Sequence, residues 1–511
     1  MSDSHCTTLI DLLESAALRW PDRPLLLGEP ETVSYRDFLA RVNGLAGLLA
    51  DHGARHGDRI AAVLPNGPDL LALWLSLARL GAVLVPLNPA LRFPEVESLL
   101  RDAGVSGLVS DARTLELYAA HLDLRLKMTV GAEKPEETLP GAVAFAAPPL
   151  PESPFRAGAG SDLSTILHTS GTTNRAKGAA LTQTSYVWPA REFVRWMEIV
   201  PEDRFLVCLP LFHMAGQAFA IAAIAGGASL ALVRKFSGHE FWPQVRRHGI
   251  TVVRHLGEML AVLLHQPESE DDRRHTLRAA YGGGARAELV EKFEARFGTT
   301  VVEGYGLTET NTVLRNEIGA RRRGSIGRPP PYCEVRIAAS KDQGVGEIQI
   351  RRNPVMMTGY VGGEPGLAQS CFEDGWFRTG DLGYRDADGY FYFVGREKDI
   401  IRRRGENIAP VHVEETLNRF PAVAHSAVVG VPDEVGGEEV KAFLVCRPGR
   451  TIDLAELIDW CHEQLAEFEI PRYFEICAEL PGTSTHKINK GELRKAGTAG
   501  GFCFDRKSGQ P

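Results

Sequence analysis

Short apolar runs alternate with segments of helical apolar spacing along most of the chain. Residues 59–65 predict a buried strand, residues 68–80 a helix, and residues 82–87 the next strand. Such alternation favours a parallel sheet, because parallel strands need a crossover that is usually helical. The same pattern predicts helices within residues 7–19, 32–50 and 93–103, and strands at residues 105–109, 163–167, 204–209, 229–233, 251–253, 279–285 and 300–305.

The pattern changes beyond Ser325. Short alternating runs at residues 334–337 and 347–351 predict antiparallel strands of a small β-barrel-like part. Further on, helices at residues 408–419 and 454–465 and strands at 422–431 and 442–446 predict a separate α+β unit. The predicted fold class is therefore α/β. A large N-terminal domain (residues 1–397) precedes a small, mobile C-terminal domain (398–496) and a flexible, glycine-rich tail (497–511).

Composition narrows the functional classes. The chain has 511 residues, 44% of them hydrophobic and 24% charged, which is typical of a soluble protein with more than one domain. A net charge of −8 predicts no nucleic-acid partner. The eight cysteines form no C-x-x-C pair, so they predict free thiols in a reducing cytoplasm. The most apolar stretch, residues 219–233, is too short to span a bilayer, so no integral membrane segment is predicted.

A polar, glycine-containing loop spans residues 169–178, directly after a predicted strand. Its backbone N–H groups, hydroxyls and cations could hold phosphate oxygens, and strand ends are where open α/β sheets bind ligands. The loop is not a Walker A motif, because Ala176 precedes Lys177 and Gly178 follows it. By composition alone, a solvated loop is an equally good interpretation.

Four segments together resemble motifs of the adenylate-forming acyl- and aryl-CoA synthetase superfamily. They are the loop 169–178 and residues 305–309, 379–381 and 395–399. The resemblance covers nearly the whole chain, and residues 257–284 look closest to crotonobetaine/carnitine-CoA-ligase-like members. It implies an AMP-forming acid–CoA ligase that uses ATP, Mg²⁺ and coenzyme A on a small-molecule carboxylate or a similar oxyanion. It is also compatible with a carrier protein as a partner and with a homodimer.

The resemblance assigns roles residue by residue. The catalytic residues would be Lys487, Thr308, Glu309 and His213, with Glu309 as the metal ligand and His213 as a gate for the acyl substrate. Lys398 would be the hinge between the domains. The cofactor-binding residues would be Thr169, Ser170, Gly171, Thr172, Thr173, Lys177, Gly283, Gly284, Ala285, Tyr305, Gly306, Asp381, Arg396 and Gly405.

Several assignments also have a chemical reason of their own. A hard carboxylate such as Glu309 suits Mg²⁺ that bridges phosphates, and Asp381 can accept hydrogen bonds from both ribose hydroxyls. A lysine at position 487 would stabilise charge that develops at the α-phosphate, with Lys490 as the rival position. Taken singly, each residue has a plainer interpretation: His213 as a core histidine, for example, or Lys487 as a surface lysine.

Four positions depart from the pattern of the superfamily. Asn174, Ala176 and His486 replace the usual Gly, Pro and Gly, and Glu258 lies near the expected acyl pocket. These changes leave the substrate open. Two alternatives remain: a ligase that passes the adenylate to a carrier protein, an amine or another nucleophile, and a non-catalytic nucleotide-binding homologue. Retention of Glu309 and the other motif residues argues against the second.

Overall fold

A computed structural model describes residues 7–28, 32–91, 93, 95–131, 139, 141–155, 158–169, 177–338, 344–362, 371–404, 406–433, 437–482, 488–497 and 503–506. The chain divides into two compact units. The first comprises Met1–Glu334 and Ile350–Phe377, and the second comprises Val335–Gln349 and Arg378–Pro511. No helix in the described ranges is long and apolar enough to cross a membrane.

One sheet of the first unit carries two of the predicted nucleotide-binding segments, residues 283–285 and 305–306. Its strands between the two edges are parallel, and the edge strands β15 and β2 pair antiparallel. In spatial order they are β15 (Asn311–Arg315), β14 (Thr300–Leu307), β13 (Ala279–Gly283), β12 (Val252–Leu256), β10 (Arg204–Val207), β11 (Ser229–Leu232), β1 (Pro24–Leu26) and β2 (Val33–Ser34).

The second sheet of this unit ends in the strands that flank the predicted phosphate loop. Six of its strands, β8, β4, β3, β5, β6 and β7, are parallel to one another. Strand β9 pairs antiparallel with both β8 and β18. In spatial order they are β18 (Gly359–Val361), β9 (Lys177–Thr182), β8 (Leu163–Thr169), β4 (Val83–Leu87), β3 (Arg59–Val63), β5 (Gly107–Ser110), β6 (Leu126–Thr129) and β7 (Val143–Ala144).

Helices connect these strands, and local sequence determines where they begin and end. The third helix begins with Pro68, whose missing N–H costs nothing in a first turn, and is followed by Gly81 at φ +67°. The helices are α1 (Leu9–Arg19), α2 (Tyr35–Asp51), α3 (Pro68–Leu80), α4 (Glu95–Ala103), α5 (Ala112–Ala119), α6 (Thr184–Trp196), α7 (Met214–Gly226), α8 (Gly238–His248), α9 (Gly257–Leu264) and α10 (Ala287–Phe297).

Residues 335–396 contribute a five-stranded sheet. Its order is β16 (Val335–Ile337), β17 (Gly346–Arg351), β20 (Trp376–Arg385) and β19 (Phe372–Glu373), with β21 (Phe391–Arg396) also paired to β20. A short 3₁₀ helix, Glu397–Asp399, comes after β21.

The rest of the second unit is an α+β fold around a four-stranded sheet. The sheet has the order β24 (Val423–Pro432), β25 (Glu438–Cys446), β26 (Tyr473–Cys477) and β27 (Cys503–Asp505). A hairpin of β22 (Ile401–Arg403) and β23 (Glu406–Ile408) precedes it. The helices are α11 (Pro410–Arg419), α12 (Leu454–Gln464) and α13 (Lys490–Lys495).

The predicted fold class is confirmed: the protein is α/β, with parallel sheets in a large N-terminal part and a smaller C-terminal part. The structure differs from the predicted flexible tail at Cys503–Asp505, which form a strand against β26. Arg472 also pairs with Asp505 at 3.0 Å. The local composition there gives no sign of a strand, because the partner lies about thirty residues away. The predicted domain boundary at residues 397/398 stays a prediction, because it is defined by a rotation of the C-terminal domain about Lys398.

Candidate active site

The ends of the predicted phosphate loop are fixed by a hairpin. Strands β8 and β9 pair antiparallel, so that Thr169 lies opposite Lys177. The Thr169 hydroxyl donates to the Lys177 carbonyl at 3.4 Å. The structure therefore places the two described ends of the loop side by side. Four predicted residues of the loop lie outside the described residues: Ser170, Gly171, Thr172 and Thr173.

Glu309 lies in the turn between β14 and β15, and residues from distant parts of the sequence hold it. The Tyr360 hydroxyl donates to Glu309 Oε1 at 2.7 Å, and the Met357 backbone N–H donates to the Glu309 carbonyl at 2.8 Å. The Lys177 ammonium lies 4.1 Å from the centre of the Tyr360 ring. Burial and the adjacent Glu309 carboxylate both raise the pKa of Tyr360. The structure thus brings Lys177 and Glu309 together through Tyr360, which sequence reasoning missed.

Two predicted nucleotide-binding segments lie on neighbouring strands of the first sheet. The segment Gly283–Ala285 ends β13, and Tyr305 and Gly306 lie near the end of β14. Gly284 has φ +82°, which an L side chain rarely adopts. A Cβ atom on Gly283 would lie 2.8 Å from the Gly304 carbonyl oxygen, so the two backbones approach closely. Glycine is required at both positions for this turn.

A buried carboxyl and a buried imidazole lie beneath the glycine turn. The Ala285 N–H donates to Glu303 Oε2 at 3.2 Å, and His255 Nε2 lies 3.4 Å from Glu303 Oε1. Burial raises the pKa of Glu303 to about 8 and lowers the pKa of His255 to about 3. Burial therefore favours the uncharged form of both side chains, a neutral pair beneath the turn. Sequence reasoning missed them, although each is a polar residue within a short apolar run.

His213 begins helix α7. Its Nδ1 accepts from the Ala215 N–H at 3.1 Å, which makes it the N-cap of the helix. The turn before it is held by Asn66, whose Oδ1 accepts from the Leu211 N–H at 3.0 Å and whose Nδ2 donates to the Val233 carbonyl at 2.8 Å. Asn66 thereby ties the ends of β10 and β11 to the segment that positions His213.

In the second unit, Asp381 and Arg396 lie directly opposite each other on strands β20 and β21. The Arg396 Nε lies 3.3 Å from Asp381 Oδ1, and Asp381 is buried. Gly380 has φ +69° and donates its N–H to Glu347 Oε1 at 2.9 Å. The positive φ favours glycine at this point of β20, and the two strands bring together the carboxylate predicted to bind ribose and the guanidinium predicted to contact ribose or phosphate.

The predicted hinge and the predicted catalytic loop are both in the second unit. Lys398 lies in the short 3₁₀ helix, where the neighbouring Asp399 pairs with Arg494 of α13 at 2.6 Å. Lys490 pairs with Glu414 at 2.7 Å. Lys487 and Gly405 lie outside the described residues.

The residues present suit a magnesium ion that is held mainly through phosphates. Within the described ranges, no three His, Cys, Asp or Glu side chains cluster as a metal site. Mg²⁺ commonly binds through one or two carboxylates together with substrate phosphates and water. Glu309, a single carboxylate near Lys177, fits that mode.

Two family profiles and several known proteins match the chain over most of its length. A profile described as AMP-binding enzyme matches residues 13–361, and one described as AMP-binding enzyme C-terminal domain matches residues 412–487. The chain is 32% identical to a crotonobetaine/carnitine–CoA ligase of Salmonella arizonae over 91% of its length and 94% of the relative. It is 34% identical to a sulfoacetate–CoA ligase of Cupriavidus necator over 95% of its length and 97% of the relative.

A solved structure is similar over nearly the same extent. The o-succinylbenzoate–CoA synthetase of Bacillus subtilis, in complex with its acyl-adenylate intermediate, superposes with a TM-score of 0.81 at 28% identity. The match covers 94% of this chain and 97% of that enzyme. The same enzyme is also known with ATP and a magnesium ion.

Proposed function

The chain belongs to the AMP-binding enzyme family, and from this premise we propose that it is an ATP-dependent, AMP-forming acid–CoA ligase. In the first step a carboxylate oxygen attacks the α-phosphorus of ATP, and pyrophosphate leaves. In the second step the thiol of coenzyme A attacks the acyl carbon, AMP leaves and the thiol proton is released. The arrangement of Lys177, Tyr360 and Glu309 carries this proposal most directly.

The phosphate end of the nucleotide meets groups of the first unit. Tyr360 donates to Oε1 of Glu309, and this carboxylate would hold a magnesium ion. That ion would neutralise phosphate charge when bound. Thr308 donates its hydroxyl to a phosphate oxygen, and Lys177 places a cation at the end of the loop 169–178. Together these groups hold the triphosphate and stabilise the charge that develops as pyrophosphate leaves.

The nucleoside end is assigned to two other sets of residues. The backbone of Gly283–Ala285 and the ring of Tyr305 hold adenine, and Gly306 keeps the adjacent backbone accessible. In the second unit, Asp381 accepts hydrogen bonds from the ribose hydroxyls, and Arg396 contacts ribose or phosphate. The observed pairing of Arg396 with Asp381 supports this assignment, because it places a carboxylate acceptor and a guanidinium donor side by side.

Lys487 is the proposed adenylation lysine. The engagement of Lys490 with Glu414 supports this choice, because an ion-paired side chain is less available to a substrate. Lys398 is the proposed hinge for the rotation between the two half-reactions, and Gly405 lies in a loop proposed to approach the pantetheine arm. His213, at the start of α7, is the proposed gate of the acyl pocket.

Coenzyme A is the proposed acceptor because both curated relatives are named as CoA ligases. Their named substrates are carboxylates that carry a second charged group, and its sign differs between the two relatives. Crotonobetaine and carnitine carry a quaternary ammonium, and sulfoacetate carries a sulfonate. The proposed substrate is accordingly a small carboxylate. A carrier protein or an amine as acceptor is the alternative within this class.

The test is a substrate-dependent ATP–pyrophosphate exchange screen over a carboxylate panel, followed by mass spectrometry with and without coenzyme A. We expect exchange without coenzyme A and a thioester with it. Exchange without a thioester would identify a different acceptor. ATP binding without exchange on any acid would overturn the proposed function and favour a non-catalytic homologue.

A further inference from the structure

A cavity in the first unit lies between helices α6 and α7 and the strands β12, β13 and β15. Aromatic side chains form much of its wall, and two cations face it. The residues that give the cavity this character are Phe193, Trp196, Phe219, Arg254, Tyr281 and Arg315. An aromatic wall with two guanidinium groups is unusual for a pocket that would hold only an alkyl chain.

The two arginines differ in how their charge is balanced. Arg315 is buried, and it lies 3.4 Å from a carboxylate oxygen of Glu192 and 3.4 Å from one of Glu317. For Arg254, no ion pair with any carboxylate is found across the described ranges of the chain. Its guanidinium donates to the Ala215 carbonyl at 3.2 Å and lies 5.2 Å from the centre of the Tyr281 ring.

A guanidinium in this position is incompletely satisfied. It has five N–H donors, of which the described part of the chain engages one, and the cation–π contact with Tyr281 replaces only part of the lost hydration. Burial lowers the pKa of Arg254, which reflects the same loss of water. Arg254 is half-buried, and a charge that loses part of its water is normally paired, so the described residues leave this one short of a counter-charge. The cavity that borders it has a volume of about 20 Å³, so it admits a counter-charge only as a compact terminal group.

The position of Arg254 connects it to the substrate. Its hydrogen-bond acceptor, Ala215, lies in the first turn of α7, two residues after His213. His213 is the proposed gate for the acyl group. The guanidinium therefore lies beside the part of the fold where an acyl substrate would enter, on the side of β12 that faces α7.

We propose that Arg254 binds a second anionic group on the acyl substrate, a carboxylate or sulfonate at the end remote from the activated carboxylate. This inference rests on the proposed function and names its substrate class. The planar guanidinium suits both groups, because each offers two oxygens to a pair of N–H donors. A quaternary ammonium would face Arg254 with a like charge and is therefore disfavoured.

The experiment compares matched acids in pyrophosphate exchange and thioester formation. The pairs are malonate with propanoate and succinate with butanoate, with sulfopropanoate as the sulfonate arm and γ-butyrobetaine as the cationic arm. We expect wild type to prefer the dianion of each pair. Arg254→Met should lower the dianion-to-monoanion ratio of kcat/KM about 30-fold or more, and Arg254→Lys should retain part of it. The two anionic arms distinguish a carboxylate from a sulfonate.

Arg315→Met is the matched control, because it removes the other cation of the cavity, whose charge is already balanced. We expect it to lower the thermal stability without collapsing the ratio. Equal loss of activity on both members of a pair in Arg254→Met, or a wild-type preference for the monoanion or γ-butyrobetaine, would overturn the inference. If Arg254→Met does not fold, the wild-type preference and Arg254→Lys decide.

Binding separates this inference from the proposed function. The thermal shift of each protein with succinate, in the presence of a non-hydrolysable ATP analogue, reports binding without turnover. A shift that depends on Arg254, with no exchange on any acid, would count against the proposed function and support the anion site. Exchange on monoanionic acids without such a shift would overturn the anion site and leave the proposed function standing.

Discussion

The Glu309 turn and the Arg254 cavity belong to the same unit, yet they balance charge in different ways. Glu309 accepts a hydrogen bond from the Tyr360 hydroxyl, and Lys177 lies over the ring of that tyrosine, so the position of Glu309 is determined by the protein itself. Arg254 contacts a backbone carbonyl and a ring, and no carboxylate among the described residues supplies its counter-charge. Glu309 is therefore expected to serve the reaction of every substrate, whereas Arg254 is expected to serve the recognition of one substrate class.

Glu309→Gln should have the largest effect and should not discriminate between substrates. The amide keeps the shape of the side chain but is a poor ligand for Mg²⁺, so pyrophosphate exchange should fall by about 100-fold or more on every acid. Exchange rates at limiting and saturating Mg²⁺, on succinate and butanoate, measure this. Undiminished exchange at limiting Mg²⁺ would exclude the metal role, and a changed preference between the acids would break the separation of reaction from recognition.

Lys487→Ala should lower adenylate formation by about 100-fold or more, while a chemically supplied acyl-adenylate is still converted to thioester. Lys490→Ala is the matched control, because its ammonium is engaged by Glu414. We expect that control to affect the stability of the second unit more than the ratio of the two half-reactions. A selective adenylation defect in Lys490→Ala would show that the assignment between the two lysines is wrong.

Tyr360→Phe should lower exchange by about tenfold, with a higher requirement for Mg²⁺. The ring remains against Lys177, but the hydrogen bond to Glu309 is lost and the carboxylate is less well oriented. The dependence of the rate on Mg²⁺ concentration, measured beside Glu309→Gln, shows whether Tyr360 acts through Glu309. The double variant is compared with Glu309→Gln alone. If adding Tyr360→Phe lowers the exchange rate of Glu309→Gln by the same factor as it lowers the rate of wild type, the two residues act independently.

Sequence reasoning was most successful where the structural cause is local. The bounds of α3 follow from Pro68, an apolar run and Gly81, which lie close together in the sequence. The same holds for the parallel strands, whose apolar runs reflect burial on both faces.

Long-range contacts were not predictable from the same patterns. Tyr360 lies in a strand of three residues, and nothing in that strand indicates that its hydroxyl contacts Glu309, which is 51 positions earlier. Arg254 and His255 are neighbours in one apolar run, but successive side chains of a strand point to opposite faces. The sequence shows two polar residues there, and only the register with β13 assigns one to the cavity and the other to the glycine turn.

The smallest expected effect concerns Glu303, which supports the glycine turn on the face of the sheet opposite Arg254. The pKa of Glu303 rises from 4.5 in the unfolded chain to about 8 in the folded protein, because burial disfavours the carboxylate. Its stabilising contribution is therefore complete below about pH 4.5 and is lost as pH rises toward 8. Above that pH both states are ionised and the contribution changes no further. His255 acts in the opposite direction at lower pH, because its folded pKa is lowered to about 3.

Glu303→Gln keeps the shape of the side chain and removes its titration. We expect the difference in thermal midpoint between wild type and Glu303→Gln to favour wild type most near pH 5 and to shrink by a few degrees toward pH 8. His255 is present in both proteins, so to first order its titration cancels in the difference. The measurement is the midpoint of thermal unfolding of both proteins between pH 5 and pH 9 in matched buffers. Parallel curves would mean that Glu303 is ionised in the folded protein, and the neutral pair beneath the glycine turn would then be wrong.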